Sequence, residues 1–253
     1  MKHHTLCNGI CKNGSGPCRP TSPKAIAKVL IANRGEIAAR IIKSLHKLNI
    51  EAISIYSDAD ASSPHVRNAD VSLRLEGTSV AETYLDARQV LQLAKSAQAD
   101  AIIPGYGFLS ENSDFAAAVE QEGMVWIGPT PNQMSDLGLK HRARDIANKS
   151  GVHVVPGSAG LLVSLEEARH EADKIGFPLM LKSTAGGGGI GLRQCKDLDS
   201  FDDAFNAVQR LASANFGESG VFLERYIENA RHIEVQILGD GKGKVIAAGE
   251  RDC

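Results

Sequence analysis

The feature that most constrains the fold is a regular alternation of short apolar runs with amphipathic segments between residues 28 and 128. Four runs rich in β-branched residues are typical of strands: KVLIAN, EAISIYS, DAIIP and MVWIG. Between them, apolar residues recur at helical spacing, as they do from Ile37 to Leu48, at residues 87–97 and in SDFAAAVEQEG. Strands that alternate with helices in this way are joined by crossover connections, so the pattern predicts an open parallel α/β sheet.

The pattern changes after Gly128 and Pro129. Helices are predicted from about residue 136 to 149, over 165–175 and near 201–212, and the strands predicted among them are FPLMLKS, IGLRQC, VFLERYI, HIEVQILGD and KVIAAGER. The last two strands are predicted to form a hairpin. This second half is of mixed α+β type, so we expect a disordered tail at residues 1–25, a first domain at 26–130 and a second domain at 131–253.

Charge and cysteine usage exclude several classes of function. The chain has 28 Lys and Arg against 30 Asp and Glu, so no overall basic field attracts nucleic acid or acidic lipid. No run of eighteen apolar residues and no secretory signal is present, and we therefore expect a cytoplasmic protein without a membrane partner. Three of the five cysteines fall in the first eighteen residues without CxxC spacing, which favours a tail with free thiols over a metal site or a disulfide framework.

The strongest local motif is KSTAGGGGIGL, which begins at Lys182 and contains four consecutive glycines at 186–189. Glycine lets backbone N–H groups approach an anion closely, so a glycine loop between two strands can cover the phosphates of a nucleotide. The motif is not a P-loop, because its lysine precedes the glycines, and it lacks the strand-to-helix setting of a dinucleotide fingerprint. The alternative is a hairpin tip without function.

Three further segments are candidates of lower specificity. Lys140 opens a basic run, KHRAR, which can equally be the solvated face of a helix. His232, Glu234 and Gln236 alternate along a strand, where the wet side of a sheet explains them better than a ligand site. The loop around Tyr106 follows the carboxyl end of a strand, which is a common place for ligand contacts, although a structural turn accounts for it as well.

Five segments in this order resemble the biotin carboxylase component of biotin-dependent carboxylases, a family of the ATP-grasp type. They are VLIANRGEIAARI, IPGYGFLSEN, GLKHRAR, LKSTAGGGGIGL and FLERYIENARHIEVQ, and they extend over the chain from residue 28 onward. STAGGGGIG and the KHRAR helix are most similar to urea carboxylase, the carboxylase part of urea amidolyase. The resemblance implies a Rossmann-like preATP-grasp domain, followed by an incomplete ATP-grasp domain whose glycine-loop lid occupies about residues 152–223.

The resemblance also implies roles for individual residues. Lys140 and Lys182 would contact nucleotide phosphates, and the amides of Gly186, Gly187, Gly188 and Gly189 would close over the triphosphate. Glu224 and Ile227 would bind adenine through their backbone, and His232 would lie near the ribose. Tyr106 and Gly107 would lie where the biotin ring enters.

The family's reaction uses ATP to activate bicarbonate as carboxyphosphate, which then carboxylates biotin. The resemblance therefore implies ATP, Mg2+ or Mn2+ and biotin as cofactors, with bicarbonate and a biotin carboxyl carrier domain as partners; in a urea carboxylase the carboxyl group passes to urea and gives allophanate. It also leaves room for a homodimer. The catalytic residues and metal ligands of relatives are expected beyond Cys253, so we expect this chain alone to bind nucleotide weakly and not to turn it over, and its last strand to leave an exposed edge.

Other functions are left open by the sequence. One is a nucleotide-binding or interaction module without catalytic activity, which would bind ATP and not hydrolyse it. A related ATP-grasp ligase of the carbamoyl phosphate synthase type is compatible with the lid, but the NRGEIA and PGYGFLSEN segments disfavour it. An NAD-dependent dehydrogenase is disfavoured because NRGE supplies one glycine where the fingerprint requires three.

Overall fold

The structure is a computed structural model that describes residues 25–183, 191–216, 220–241 and 243–253. The chain divides into two compact units, one ending at Pro131 and the other beginning at Asn132. Among the described residues, no helix is both long enough and apolar enough to cross a membrane. Apart from Ala25, the predicted tail lies outside the described residues.

Over its described residues, the first unit contains five strands and four α-helices, together with a 3-10 turn at Asp58–Asp60. In chain order these are β1 (Lys28–Ile31), α1 (Gly35–Lys47), β2 (Glu51–Tyr56), α2 (Pro64–Asn68), β3 (Val71–Arg74), α3 (Ala87–Ser96), β4 (Ala101–Ile103), α4 (Ser113–Gln121) and β5 (Val125–Trp126). The strands form one parallel sheet in the order β3-β2-β1-β4-β5. This confirms the predicted open, Rossmann-like sheet.

Both faces of this sheet are buried, as expected of parallel strands between helices. On one face, alternate strand residues pack with the apolar stripe of α1 in a single cluster: Val29, Ile31, Ala38, Ile41, Ile42, Leu45, Ala52 and Ala101. Leu30, Ile53 and Ile102 alternate with these strand positions and are also fully buried. The period-two pattern of the strands and the helical period of α1 therefore explain this core.

The prediction for residues 58–86 was incomplete, since neither a helix nor a strand was predicted between EAISIYS and residue 87. The structure has α2 and β3 in this interval, and β3 pairs with β2 as the edge strand of the sheet. VSLR is short and its residues are only half buried or exposed, so it lacks the apolar run by which the other strands were recognised.

The second unit is of mixed type, as predicted. In chain order its elements are α5 (Pro131–Gly138), α6 (Lys140–Lys149), α7 (Leu165–Ile175), β6 (Leu179–Ser183), β7 (Leu192–Cys195), α8 (Phe201–Phe216), β8 (Val221–Arg225), β9 (Ile233–Gly239) and β10 (Val245–Asp252). Three strands form an antiparallel sheet in the order β7-β6-β8, and β9 and β10 form the predicted hairpin.

The core of the second unit lies between one face of the three-stranded sheet and the helices α7 and α8. Leu179 and Leu181 from β6 and Val221 and Leu223 from β8 join it, together with residues of the two helices that include Phe201. Successive side chains of a strand point to opposite faces of the sheet. The face away from this core therefore carries Met180, Lys182, Phe222 and Glu224.

The single helix predicted from about 136 to 149 was wrong. The structure has two helices, because Leu139 adopts an extended conformation (φ −94°, ψ 117°) directly after Gly138, which is a poor helix former. Lys140 is therefore the first residue of α6 rather than an interior residue of a longer helix.

Candidate functional site

Lys182 and Glu224 are brought together by the register between β6 and β8. Lys182 pairs with Phe222 and Met180 pairs with Glu224, so Lys182 and Glu224 are diagonal neighbours on one face of the sheet. The Lys182 ammonium group and one carboxylate oxygen of Glu224, Oε2, form an ion pair. Both side chains are mostly buried, with 23% and 17% of their surfaces exposed.

Helix α6 brings two further cations to this pair. Arg144 Nη1 donates to the other carboxylate oxygen of Glu224, Oε1, at 3.1 Å. Lys140 lies one turn before Arg144 on the same helix face, and it is close enough to Lys182 for the two charges to affect each other. Lys140, Arg144, Lys182 and Glu224 are called the basic cluster below.

The guanidinium group of Arg144 is enclosed on several sides. Its central carbon lies 5.0 Å from the centre of the Phe222 ring, and only 15% of the side chain is exposed. Gly157 lies beside it: a Cβ atom there would be 3.0 Å from Arg144 Nη2 and 2.6 Å from the Leu223 carbonyl oxygen. The cluster therefore depends on a glycine that the sequence analysis did not single out.

The electrostatics of the basic cluster favour an anion. Burial lowers the pKa of Lys140, the positive charge of Lys182 lowers it further, and the carboxylate of Glu224 opposes both effects. Three cationic side chains surround one carboxylate, so positive charge predominates among these four residues. A bound anion such as a phosphate would reduce the mutual repulsion of the cations.

The remaining residues predicted for this site have different settings. Gly186, Gly187, Gly188 and Gly189 lie outside the described residues. Ile227 follows the end of β8 and is 52% exposed. His232 is exposed, directly precedes β9, and its carbonyl accepts a hydrogen bond from the Cys253 N–H at 3.0 Å. The contacts predicted for these residues stay predictions.

Tyr106 and Gly107 belong to the first unit, in the loop after β4. The adjacent strand β1 has β2 on its other side, so the chain changes direction across the sheet between β1 and β4, which is where open α/β sheets commonly bind ligands. Tyr106 is 58% exposed, and its hydroxyl donates to Glu36 Oε1 at 2.8 Å. Gly107 has φ +77°, a value that glycine adopts without strain.

Asn33, which closely follows β1, fixes this loop through hydrogen bonds. It is fully buried, and its Nδ2 donates to the carbonyls of Pro104 at 2.7 Å and Tyr106 at 2.9 Å. Its Oδ1 accepts from the Arg34 N–H at 2.9 Å. All the polar atoms of this side chain therefore have partners, and its two donated hydrogen bonds fix the loop that contains Tyr106 and Gly107.

A second polar network lies next to Asn33. Arg34 donates two hydrogen bonds to Asp60, at 2.6 and 2.5 Å, and Tyr84 donates to Asp60 Oδ2 at 2.6 Å. Burial alone would raise the pKa of Asp60, but the hydrogen bonds from Arg34 and Tyr84 outweigh it and lower that pKa. Tyr84 also stacks on Phe108, which follows Gly107, so the network supports the same loop.

Within the described ranges, no group of three or more His, Cys, Asp or Glu side chains could hold a metal ion. No Mg2+ or Mn2+ ligand is therefore assigned to the described part of the chain.

Sequence reasoning missed Arg144, Gly157 and Asn33 as individual residues. Arg144 was considered only as one member of a basic run, and composition alone does not separate it from Arg142, whose side chain is 54% exposed. A helical wheel would have placed Arg144 on the face of Lys140, but only the contact with β8 shows that this face is buried.

Two family models match the chain and together account for most of it. Residues 25–134 match the N-terminal domain of biotin carboxylase, and residues 140–253 match the ATP binding domain of the carbamoyl-phosphate synthase L chain. The urea amidolyase of Lachancea kluyveri is 55% identical over 230 residues, which is 91% of this chain and 12% of that protein. A biotin carboxylase of Halalkalibacterium halodurans is 49% identical over 89% of this chain and 50% of its own length.

Solved structures agree with these matches. A biotin carboxylase from Campylobacter jejuni, determined as a β-γ-ATP complex, has a TM-score of 0.87 and 40% identity, and the match covers 90% of this chain and 51% of that chain. The biotin carboxylase domain dimer of Hydrogenobacter thermophilus 2-oxoglutarate carboxylase, in complex with MgADP, ADP and bicarbonate, has a TM-score of 0.85 and 42% identity over 90% and 50%. The chain thus spans about half the length of the biotin carboxylases it matches. Its two units follow the order of the matched models, so the chain consists of a region that matches the biotin carboxylase N-terminal domain followed by a region that matches an ATP-binding domain.

Proposed function

We propose that the second unit binds ATP at the basic cluster and that the chain takes part in the ATP-dependent carboxylation of biotin by bicarbonate. The observation that carries the proposal is the meeting of Lys140, Arg144 and Lys182 around Glu224 on one face of the β7-β6-β8 sheet. The similarity to the C. jejuni biotin carboxylase, which was solved with a nucleotide, supports the same conclusion.

The residues predicted for the nucleotide site have distinct roles in this proposal. Lys140 and Lys182 bind the phosphates, and the amides of residues 186–189 close over them. The backbone of Glu224 and Ile227 binds adenine, and His232 lies near the ribose. Bound ATP would supply the phosphoryl group that activates bicarbonate, while this chain's cations neutralise charge on the phosphates and hold them in position.

We further propose that the first unit receives biotin at Tyr106 and Gly107. Its supporting observation is the fixed loop at the carboxyl ends of β1 and β4.

The high identity with urea amidolyase favours urea carboxylase as the enzyme type, with a biotin carboxyl carrier domain as partner and Mg2+ or Mn2+ as the metal. The proposed boundaries are 26–130 for the preATP-grasp domain and 131–253 for residues of the ATP-grasp domain. A cytoplasmic location is part of the proposal and is tested by cell fractionation.

Nucleotide binding tests the proposal directly. The affinity of the purified chain for ATP is measured by isothermal titration calorimetry for the unsubstituted chain and for Lys140→Ala and Lys182→Ala. We expect each substitution to weaken binding about tenfold or more, because each removes a charge-assisted contact to phosphate. Lys149→Ala is the matched control, since Lys149 lies at the other end of α6 with 74% of its side chain exposed.

Unchanged ATP affinity in Lys140→Ala and Lys182→Ala would reject the basic cluster as the phosphate site. ATP hydrolysis with and without bicarbonate, measured on the same samples, separates catalysis from binding alone. Binding without bicarbonate-dependent hydrolysis is the result that a non-catalytic nucleotide-binding module predicts.

A further inference from the structure

Arg144 is a cation of the basic cluster with a carboxylate, an aromatic ring and a glycine as close neighbours. Its Nη1 donates to Glu224 Oε1, its guanidinium carbon lies 5.0 Å from the centre of the Phe222 ring, and Gly157 leaves space for Nη2. A guanidinium group held between an aromatic ring and a carboxylate keeps one orientation, which a lysine ammonium group cannot reproduce. In this arrangement, Arg144 is bound by groups of the protein itself.

The contact with Glu224 links Arg144 to Lys182. The two oxygens of one carboxylate are divided between them, with Oε1 bound by Arg144 and Oε2 by Lys182. The orientation that Arg144 imposes on the carboxylate therefore sets the position of Oε2 and, through it, the position of the Lys182 ammonium group.

We propose that Arg144 is a positioning residue of the nucleotide site, which acts through Glu224 to hold Lys182 where it meets phosphate. The inference rests on the proposed function and adds a residue to it. Arg144 itself binds no phosphate in this arrangement; it fixes the carboxylate of Glu224, and the carboxylate fixes Lys182.

The matched pair of substitutions is Arg144→Met and Arg142→Met. Both remove one positive charge from α6, but the side chain of Arg142 is 54% exposed and its nearest acidic partner, Asp136, is 3.9 Å away. Titration of each variant with ATP measures the effect on affinity. We expect Arg144→Met to weaken ATP binding about three- to tenfold and Arg142→Met to change it less than about twofold.

A double-substitution cycle separates positioning from direct contact with phosphate. If Arg144 acts through Glu224, Arg144→Met has little further effect on ATP affinity in a chain that already carries Glu224→Gln. If Arg144 binds phosphate itself, its substitution weakens binding by the same factor in both backgrounds, and the inference is overturned. We also expect Arg144→Lys to stay weakened, because charge alone does not restore the two-sided contact.

Far-ultraviolet circular dichroism and thermal unfolding confirm that each variant is folded. If Arg144→Met does not fold, Arg144→Lys and Arg144→Gln take its place in the cycle. If the unsubstituted chain binds ATP and Lys182→Ala weakens it, but Arg144→Met behaves as Arg142→Met does, the inference fails and the proposed function stands. If the unsubstituted chain does not bind ATP, both fail.

Discussion

At the scale of single residues, the two proposed sites depend on polar side chains that are mostly or fully buried and whose polar atoms have hydrogen-bond or ion-pair partners. Glu224 divides its carboxylate between two cations, and Asn33 divides its amide between two carbonyls and one N–H. A buried polar group of this kind specifies one local arrangement, since any other would leave donors or acceptors without partners.

Asn33→Asp tests this argument for the loop that contains Tyr106. The carboxylate has the shape of the amide but cannot donate, so it would face the carbonyl oxygens of Pro104 and Tyr106. We expect the free energy of unfolding of the first unit to fall by about 2–4 kcal/mol. Urea unfolding measures the change, and Asn68→Asp adds the same charge at an exposed position of that unit.

Amide hydrogen exchange of residues 105–109 provides the local measurement. Faster exchange in this loop is expected for Asn33→Asp and not for Asn68→Asp. Equal unfolding curves and equal exchange for the two variants would show that Asn33 does not hold the loop.

At the scale of elements, the basic cluster depends on a segment that is neither helix nor regular strand. Residues 156–158 run alongside β8: the Arg225 N–H donates to the Pro156 carbonyl at 2.8 Å, and the Ser158 N–H donates to the Leu223 carbonyl at 2.8 Å. Glu224 lies between these two contacts. The segment thus continues the sheet beyond β8 and brings the backbone of Gly157 against the guanidinium group of Arg144.

Gly157→Ala tests the role of this segment. The added methyl group would meet the Leu223 carbonyl oxygen at 2.6 Å, and backbone cannot move away as a flexible side chain can. We expect a loss of about 1–3 kcal/mol in the free energy of unfolding, together with weaker ATP binding. Gly160→Ala is the control, because a Cβ there meets nothing within 4 Å.

Urea unfolding and ATP titration of the same two samples give both readouts. A Gly157→Ala chain as stable as Gly160→Ala, with unchanged ATP affinity, would contradict the close packing of this segment on β8.

At the scale of the whole molecule, the sequence predicted the architecture well because its main elements follow simple periods. Buried parallel strands such as KVLIAN and the apolar stripe of α1 could be recognised directly, and the β9–β10 hairpin followed from two apolar runs around glycines. The short edge strand β3 and the break at Leu139 could not, because each depends on neighbouring structure rather than on a local pattern.

The candidate site shows the same division. Lys182 and Lys140 were found through motifs and the family resemblance, whereas Arg144, Gly157 and Asn33 were not. Their positions arise from contacts between segments far apart in the sequence: Arg144 and Glu224 are 80 residues apart, and Asn33 and Tyr106 are 73 apart. A single sequence carries the periods of its elements but not the register with which they meet.

The hairpin of β9 and β10 contains several exposed apolar side chains. Leu238 and Ile246 are cross-strand partners and are 53% and 61% exposed, and Ile237 and Val245 nearby are also more than half exposed. Because successive side chains of a strand point to opposite faces, apolar groups are exposed on both faces of the hairpin, and exposed apolar surface promotes association between molecules in water. The exposed strands add unpaired backbone groups at the edges of a two-stranded sheet, which can pair with another chain.

The double substitution Leu238→Thr with Ile246→Thr should therefore reduce self-association of the purified chain. Threonine has the β-branched shape favoured in strands and replaces an aliphatic side chain with one that bears a hydroxyl, so pairing of β9 with β10 should be retained. Sedimentation velocity over a range of protein concentrations measures the change. Leu48→Thr, at a residue 67% exposed in the first unit, controls for loss of apolar surface elsewhere. If the double variant sediments as the unsubstituted chain does at every concentration, the hairpin is not the surface through which the chain associates.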